Sequence, residues 1–253
     1  PVDYPWNWKI FWEASPDGRG TYLFTLIDGL QWTLMVALTA WALALLIGIV
    51  IGVMRTVPNR TVSTIAGLWV DLFRNIPLLV QVFLWYFVIP ELLPEAIGTA
   101  IKRMPLPWGS FVPAALGLAL FTSARVAEQV RSGIQSIPRG QMMAATALGL
   151  TTSQSYRYVL LPVAMRIILP PMTSEFMNTI KNSSVALTVG LIEVTAAARA
   201  MQEFSFQVFE AFTAATIIYV FLNISVVALM RLLERRLAVP GVGFQAAKAG
   251  EGR

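Results

Sequence analysis

Residues Gly29 to Met54 form a run of 26 amino acids without one charge. A helix rises about 1.5 Å per residue, so this run crosses a hydrocarbon core of about 30 Å. In lipid only a helix or a closed barrel satisfies its own backbone, and an unbroken apolar run of this length reads as a helix. The rest of the chain follows suit: 56% of residues are hydrophobic and 13% charged, against roughly 25% charged in soluble domains. The reading is therefore an all-α membrane protein.

Four further spans follow, giving approximate limits of 29–54, 65–89, 109–128, 170–197 and 209–230. In the second, Asp71 and Arg74 lie three residues apart on one helical face and are placed to pair. Pro77 falls inside the same span, where it frees a carbonyl that a neighbouring helix or a wet cavity must satisfy. Pro90 to Trp108 reads as a polar loop. The third span carries Pro113 in its first turn. The fourth is the least apolar and holds Glu175, Asn178, Lys181, Asn182 and Glu193, with 175, 178 and 182 on one face. Ionisable groups inside a membrane are costly and mark a transport path. Gln202 to Ser205 reads as a short polar turn. Before the first span, residues 1–28 cluster Trp6, Trp8, Phe11 and Trp12 among mixed charges, which suits the headgroup level. The tail, 237–253, is expected to be disordered.

Several chemistries are excluded. The chain has neither Cys nor His, which removes disulfides, thiolates and the commonest metal ligand and general base. It has no G-x-x-x-x-G-K-[ST] run to cradle ATP. No metal or cofactor is expected on this chain, and no enzymatic activity. The net charge of +5 reports topology and not nucleic-acid binding. Arg55 and Arg60, then Arg131, Arg139, Arg157 and Arg166, then Arg231, Arg235 and Arg236 fall on one side of a five-span chain. Lys102, Arg103 and Arg199 fall on the other with two N-terminal charges. The positive-inside bias puts the 131–166 loop and the C-terminus in the cytoplasm and the N-terminus outside.

That loop has internal structure. Ser136-Ile-Pro-Arg-Gly140 punctuates it as a turn, Gln141 to Leu148 reads as a short helix, and Gly149 as its C-cap. A second helix is expected from about Ser153 to Leu160, ended by Pro162. Ala144-Ala145, Gly149, Val159 and Leu161-Pro162 fall at the spacing of the signature loop of ABC importer permeases, with Met143 where that pattern has Glu. The segment resembles that loop. The resemblance implies a type I importer transmembrane domain whose loop helix docks on a separate ATPase subunit, through Ile137, Pro138, Gly140, Gln141, Ala144, Ala145, Gly149, Leu161 and Pro162.

Phe73-Arg-Asn-Ile-Pro-Leu-Leu-Val-Gln81, Leu160 to Asn178, and Lys181-Asn-Ser-Ser184 narrow the likeness. So do Arg55 to Arg60 and Val88 to Pro94. Together they resemble the glutamate/aspartate branch of the bacterial polar-amino-acid importers. That resemblance implies a second homologous permease, an ATPase dimer holding ATP and Mg, a periplasmic amino-acid-binding protein, the inner-membrane bilayer and an acidic amino-acid cargo. Arg125 stands where many relatives carry an aromatic, and a guanidinium takes a carboxylate with two parallel hydrogen bonds. The expected substrate path comprises Arg74, Arg125, Glu175, Asn178 and Lys181. Against this stands a plain pairing of Arg125 with Glu128, three residues on, or snorkelling of Arg125 to the cytoplasmic headgroups. The competing functions are an importer of glutamine, asparagine or another polar amino acid, an ATP-independent transporter, and a membrane scaffold.

Overall fold

A computed structural model describes residues 4–237. Its first span, α1 (Tyr22–Met54), begins a turn and more before the uncharged run, because Thr21 caps it and accepts the Phe24 N–H at 3.3 Å. From Gly29 onward the buried positions of α1 are Gly29, Thr33, Val36, Ala37, Ala40, Ala44, Gly48 and Gly52. Small residues at spacings of three and four make a flat stripe, and lipid-embedded helices associate by close packing of such stripes. The partner is α5 (Trp108–Gln135), buried along most of its length. A Cβ added at Gly48 would lie 2.6 Å from Val126, and one at Gly52 the same distance from Val130. The bundle is built around α5.

The second span is broken. α2 (Arg60–Asn75) and α3 (Leu78–Leu92) meet at 100°, where a single helix from Ile65 to Ile89 was expected. Pro77 sits in the break and opens α3. Gln81 reaches back from α3, its Nε2 donating to the Phe73 carbonyl at 2.7 Å and the Ile76 carbonyl at 2.9 Å. The buried amide thus occupies the carbonyls that the break frees. Asp71 and Arg74 are both exposed and form no ion pair among the described residues. The expected polar loop after α3 contains a helix, α4 (Glu95–Lys102).

After α5 come α6 (Arg139–Ala147) and then α7 (Thr152–Val189), which corrects two expectations. Pro162 does not end a short helix. A wide turn, Tyr156–Leu160, carries the Leu161 N–H back to the Tyr156 carbonyl and lets the helix continue through the proline. The same device, with Ile89 N–H on Leu84 O, precedes Pro90 in α3. The fourth span is therefore shifted toward the N-terminus: it tightens into 3₁₀ geometry over Ser183–Val189 and stops at Gly190. Arg166, expected in the loop, lies on this span. Glu193 caps a separate helix, α8 (Val194–Ser205), which absorbs the expected turn at 202–205. The last span is α9 (Val208–Leu237). Four helices (α1, α5, α7 and α9) are long and apolar enough to cross a membrane, and the bent pair α2–α3 brings the number to five if it is one broken span and not a re-entrant loop. Residues 238–253 of the expected tail lie outside the described residues.

Candidate functional site

The segment between α5 and α7 presents one helix outward. α6 ends in a paired cap: Gly149 adopts φ +80°, its N–H donates to Thr146 O at 2.9 Å, and Leu150 N–H donates to Ala145 O at 3.1 Å. A left-handed residue there favours glycine because a Cβ would strain it. Thr151 and Gln154 then form a capping box that starts α7. Ile137 and Ala145 are buried and turn inward, with Met142 packed on the cluster of Tyr156 and Leu160. Pro138, Gly140, Gln141, Ala144 and Gly149 are exposed, as is Pro162, while Leu161 is half-buried. Met143 and Leu148 stand out at 71% and 81% exposure. The outward surface sets Met143 and Leu148 among small residues and the polar Arg139, Gln141 and Thr146.

This segment is fastened to the spans. Tyr156 Oη donates to Thr56 O at 2.7 Å, and Tyr156 packs with Val126, Val130 and Ile134 of α5. Glu128 receives both Arg55, at the end of α1, and Arg131. Two arginines counted among the topology signals thus also form one ion-pair cluster about Glu128.

The pairing of Glu128 leaves Arg125 to another partner. Arg125 reaches from α5 to α7, where Nε donates to Glu175 Oε2 at 2.7 Å and Nη2 to Oε1 at 3.2 Å. The alternative pairing with Glu128 does not form. Phe121, one turn earlier, places its ring 5.9 Å from the guanidinium carbon. The Glu175 side chain is 9% exposed and that of Arg125 41%. Asn178, one turn beyond Glu175, is half-buried. Arg125 and Glu175 come together, whereas Asn178 makes no hydrogen bond to either among the described residues. Lys181 does not join them: it lines a hollow of about 480 Å³ with Thr195, Tyr219 and Asn223, between α7, α8 and α9. Arg74 is exposed on α2 and apart from the pair.

Two polar centres take roles that the sequence did not suggest: Glu193, expected within the fourth span, and Glu210. Glu193 is fully buried and accepts from the N–H groups of Thr195 at 2.9 Å and Ala196 at 2.8 Å, and from Tyr219 Oη at 2.9 Å. Thr33 of α1 closes the group by accepting the Val194 N–H at 3.2 Å. Glu210, also fully buried, holds the N-terminal segment through Tyr4 Oη at 2.6 Å and Asn7 N–H at 2.8 Å. Trp6, Trp8 and Trp12 remain more than half exposed beside it.

An all-helical bundle with four or five crossings, a charged pair set among them and an outward loop helix belongs to the class of multi-pass membrane transport subunits. The family described as binding-protein-dependent transport system inner membrane components matches residues 44–239. The chain belongs to that family, the permease subunits of ABC importers. Among its relatives, the glutamate/aspartate import permease protein GltJ of Escherichia coli K12 is 51% identical over 237 residues, 93% of this chain and 96% of that protein. The probable glutamine ABC transporter permease protein GlnM of Bacillus subtilis 168 is 31% identical, covering 83% and 92%. A solved structure described as an amino acid ABC transporter with histidines superposes with a TM-score of 0.71 at 31% identity, over 85% of this chain and 95% of that one.

Proposed function

We propose that this chain is the permease subunit through which an ABC importer carries glutamate and aspartate across the bacterial inner membrane. The observation that carries this reading is 51% identity to a glutamate/aspartate permease over nearly the whole of both chains. A guanidinium among the spans agrees with it, because the edge of Arg125 that Glu175 does not hold can take a carboxylate. Cargo specificity in this reading rests on Arg125, with Glu175 and Asn178 beside it. ATP and Mg belong to an ATPase dimer, and a second permease and a periplasmic binding protein complete the assembly. ATP-driven closure of that dimer moves α6, docked by its exposed face, and rocks the spans about a central path. The loop faces the cytoplasm and the N-terminus the outside, in keeping with the charge bias.

A second reading is favoured by the glutamine relative: one Arg meets the α-carboxylate of a neutral amino acid equally well. One experiment addresses both. The complex that copurifies with this chain is reconstituted in lipid with its binding protein, and ATP hydrolysis is measured with glutamate, aspartate or glutamine. Stimulation by the two acidic amino acids is the expected outcome. Stimulation by glutamine alone transfers the cargo to the second reading, and a chain that purifies without an ATPase overturns both.

A further inference from the structure

A guanidinium has five N–H donors and two edges that each match a carboxylate. Glu175 uses one edge of Arg125, that of Nε and Nη2. The opposite edge, Nη1 with the second N–H of Nη2, has no hydrogen-bond partner among the described residues. Exposure divides the pair the same way, with the carboxylate side nearly closed off and the guanidinium at 41%. The nearby carboxylate on α5 does not compete, since Glu128 is held by Arg55 and Arg131.

Two consequences follow from elementary electrostatics. Holding one edge fixes the plane of the guanidinium and aims the other edge away from Glu175. Cancelling the positive charge also weakens the pull on any further anion, because opposite charges in a low-dielectric site attract several times more strongly than in water. A transport site needs both properties, since cargo must bind well enough to enter and weakly enough to leave.

We propose that Glu175 is a positioning residue that sets affinity for anionic cargo. It holds Arg125 by one edge, leaves the other for the cargo carboxylate, and balances the charge so that the cargo is released. This rests on the reading of the chain as a permease for acidic amino acids. It adds a separate claim, that the carboxylate of Glu175 touches no cargo yet governs how long cargo stays.

The test uses the complete complex in two assays. Equilibrium binding of labelled glutamate is measured in nanodiscs without binding protein, and uptake turnover in proteoliposomes with saturating loaded binding protein. Glu175→Gln keeps the size and one acceptor oxygen to hold the guanidinium but removes the charge, so the expected result is several-fold tighter glutamate binding together with several-fold slower turnover. Glu175→Asp is expected to return both toward wild type. Arg125→Lys keeps a cation for Glu175 but presents no second planar edge, and about tenfold weaker binding is expected for it with normal assembly. Unchanged or weaker binding in Glu175→Gln overturns the proposal. If that variant does not assemble, wild-type affinity in Arg125→Lys overturns it instead. The cargo reading fails differently: the wild-type complex then takes up no glutamate in the second assay.

Discussion

Glu193 stands where three helices meet. Its carboxylate caps α8 by accepting two backbone N–H groups, receives the Tyr219 hydroxyl of α9, and lies beside Thr33 of α1. A buried donor left without its acceptor costs more than an ordinary hydrogen bond is worth, and loss of an N-cap alone costs about 1–2 kcal/mol. Glu193→Ala is therefore expected to lower the thermal unfolding midpoint of the detergent-solubilised complex. Tyr219→Phe, which removes one of these partners and leaves the cap, is expected to lower it less. Equal midpoints for Glu193→Ala and wild type would show that the junction is held by packing alone. This role was hidden in the sequence for a physical reason. A charge in an apolar stretch reads as a path-lining group unless the end of the preceding helix is known, and Ser183–Val189 gives no sign of ending. Arg125 was legible as an unusual cation, but its partner was not. The neighbour three residues away was the local choice, and Glu175 lies 50 residues on, on a helix that only the fold brings alongside.

Among the elements, the apolar spans α1 and α9 were plain from hydropathy, which is strongest where a helix faces lipid. The others were blurred by the devices that make the bundle: a break at Pro77, wide turns before Pro90 and Pro162, and a 3₁₀ ending to α7. Each of these trades backbone hydrogen bonds that sequence periodicity does not report. Gln81 tests the point. Gln81→Leu keeps the apolar size but leaves the carbonyls of Phe73 and Ile76 without their donor, at a cost of about 1–3 kcal/mol for each buried group left unsatisfied. Limited proteolysis in the α2–α3 connection is expected to accelerate in this variant, and an unchanged digestion rate would mean that water or lipid replaces the amide. The α1–α5 contact is tested more severely. Gly48→Leu drives a side chain into Val126 and the Ser123 carbonyl, 2.6 and 2.8 Å from where its Cβ would lie. Neither helix can retreat without opening the stripe. The expected outcome is loss of the folded chain from the membrane fraction, judged by its detergent-soluble yield, whereas truncation of the exposed Leu46, as Leu46→Ala, is expected to have little effect.

For the whole molecule, the fold gathers charge at one end. α1, α5 and α9 finish there and α2 and α7 begin there, so Arg55, Arg60, Arg131, Arg139, Arg157, Arg231, Arg235 and Arg236 share one end of the bundle. Short-loop cations resist translocation, which is the physical origin of the bias used to orient the chain. The opposite end carries the Trp-rich segment tied to Glu210, whose amphipathic rings suit the lipid interface. The coupling role proposed for α6 depends on this orientation, because an ATPase in the cytoplasm can dock only on the end that faces it. The absence of cysteine from the sequence makes the orientation directly measurable, since any introduced thiol is the only one on this chain. Asp17 and Ser153 are exposed at opposite ends. A membrane-impermeant maleimide applied to cells with a permeabilised outer membrane is expected to label Asp17→Cys at once. It is expected to label Ser153→Cys only after lysis. Reversed labelling would place α6 outside, where no ATP-driven subunit could reach it, and the coupling mechanism would fall with the orientation even though the family and the fold would stand.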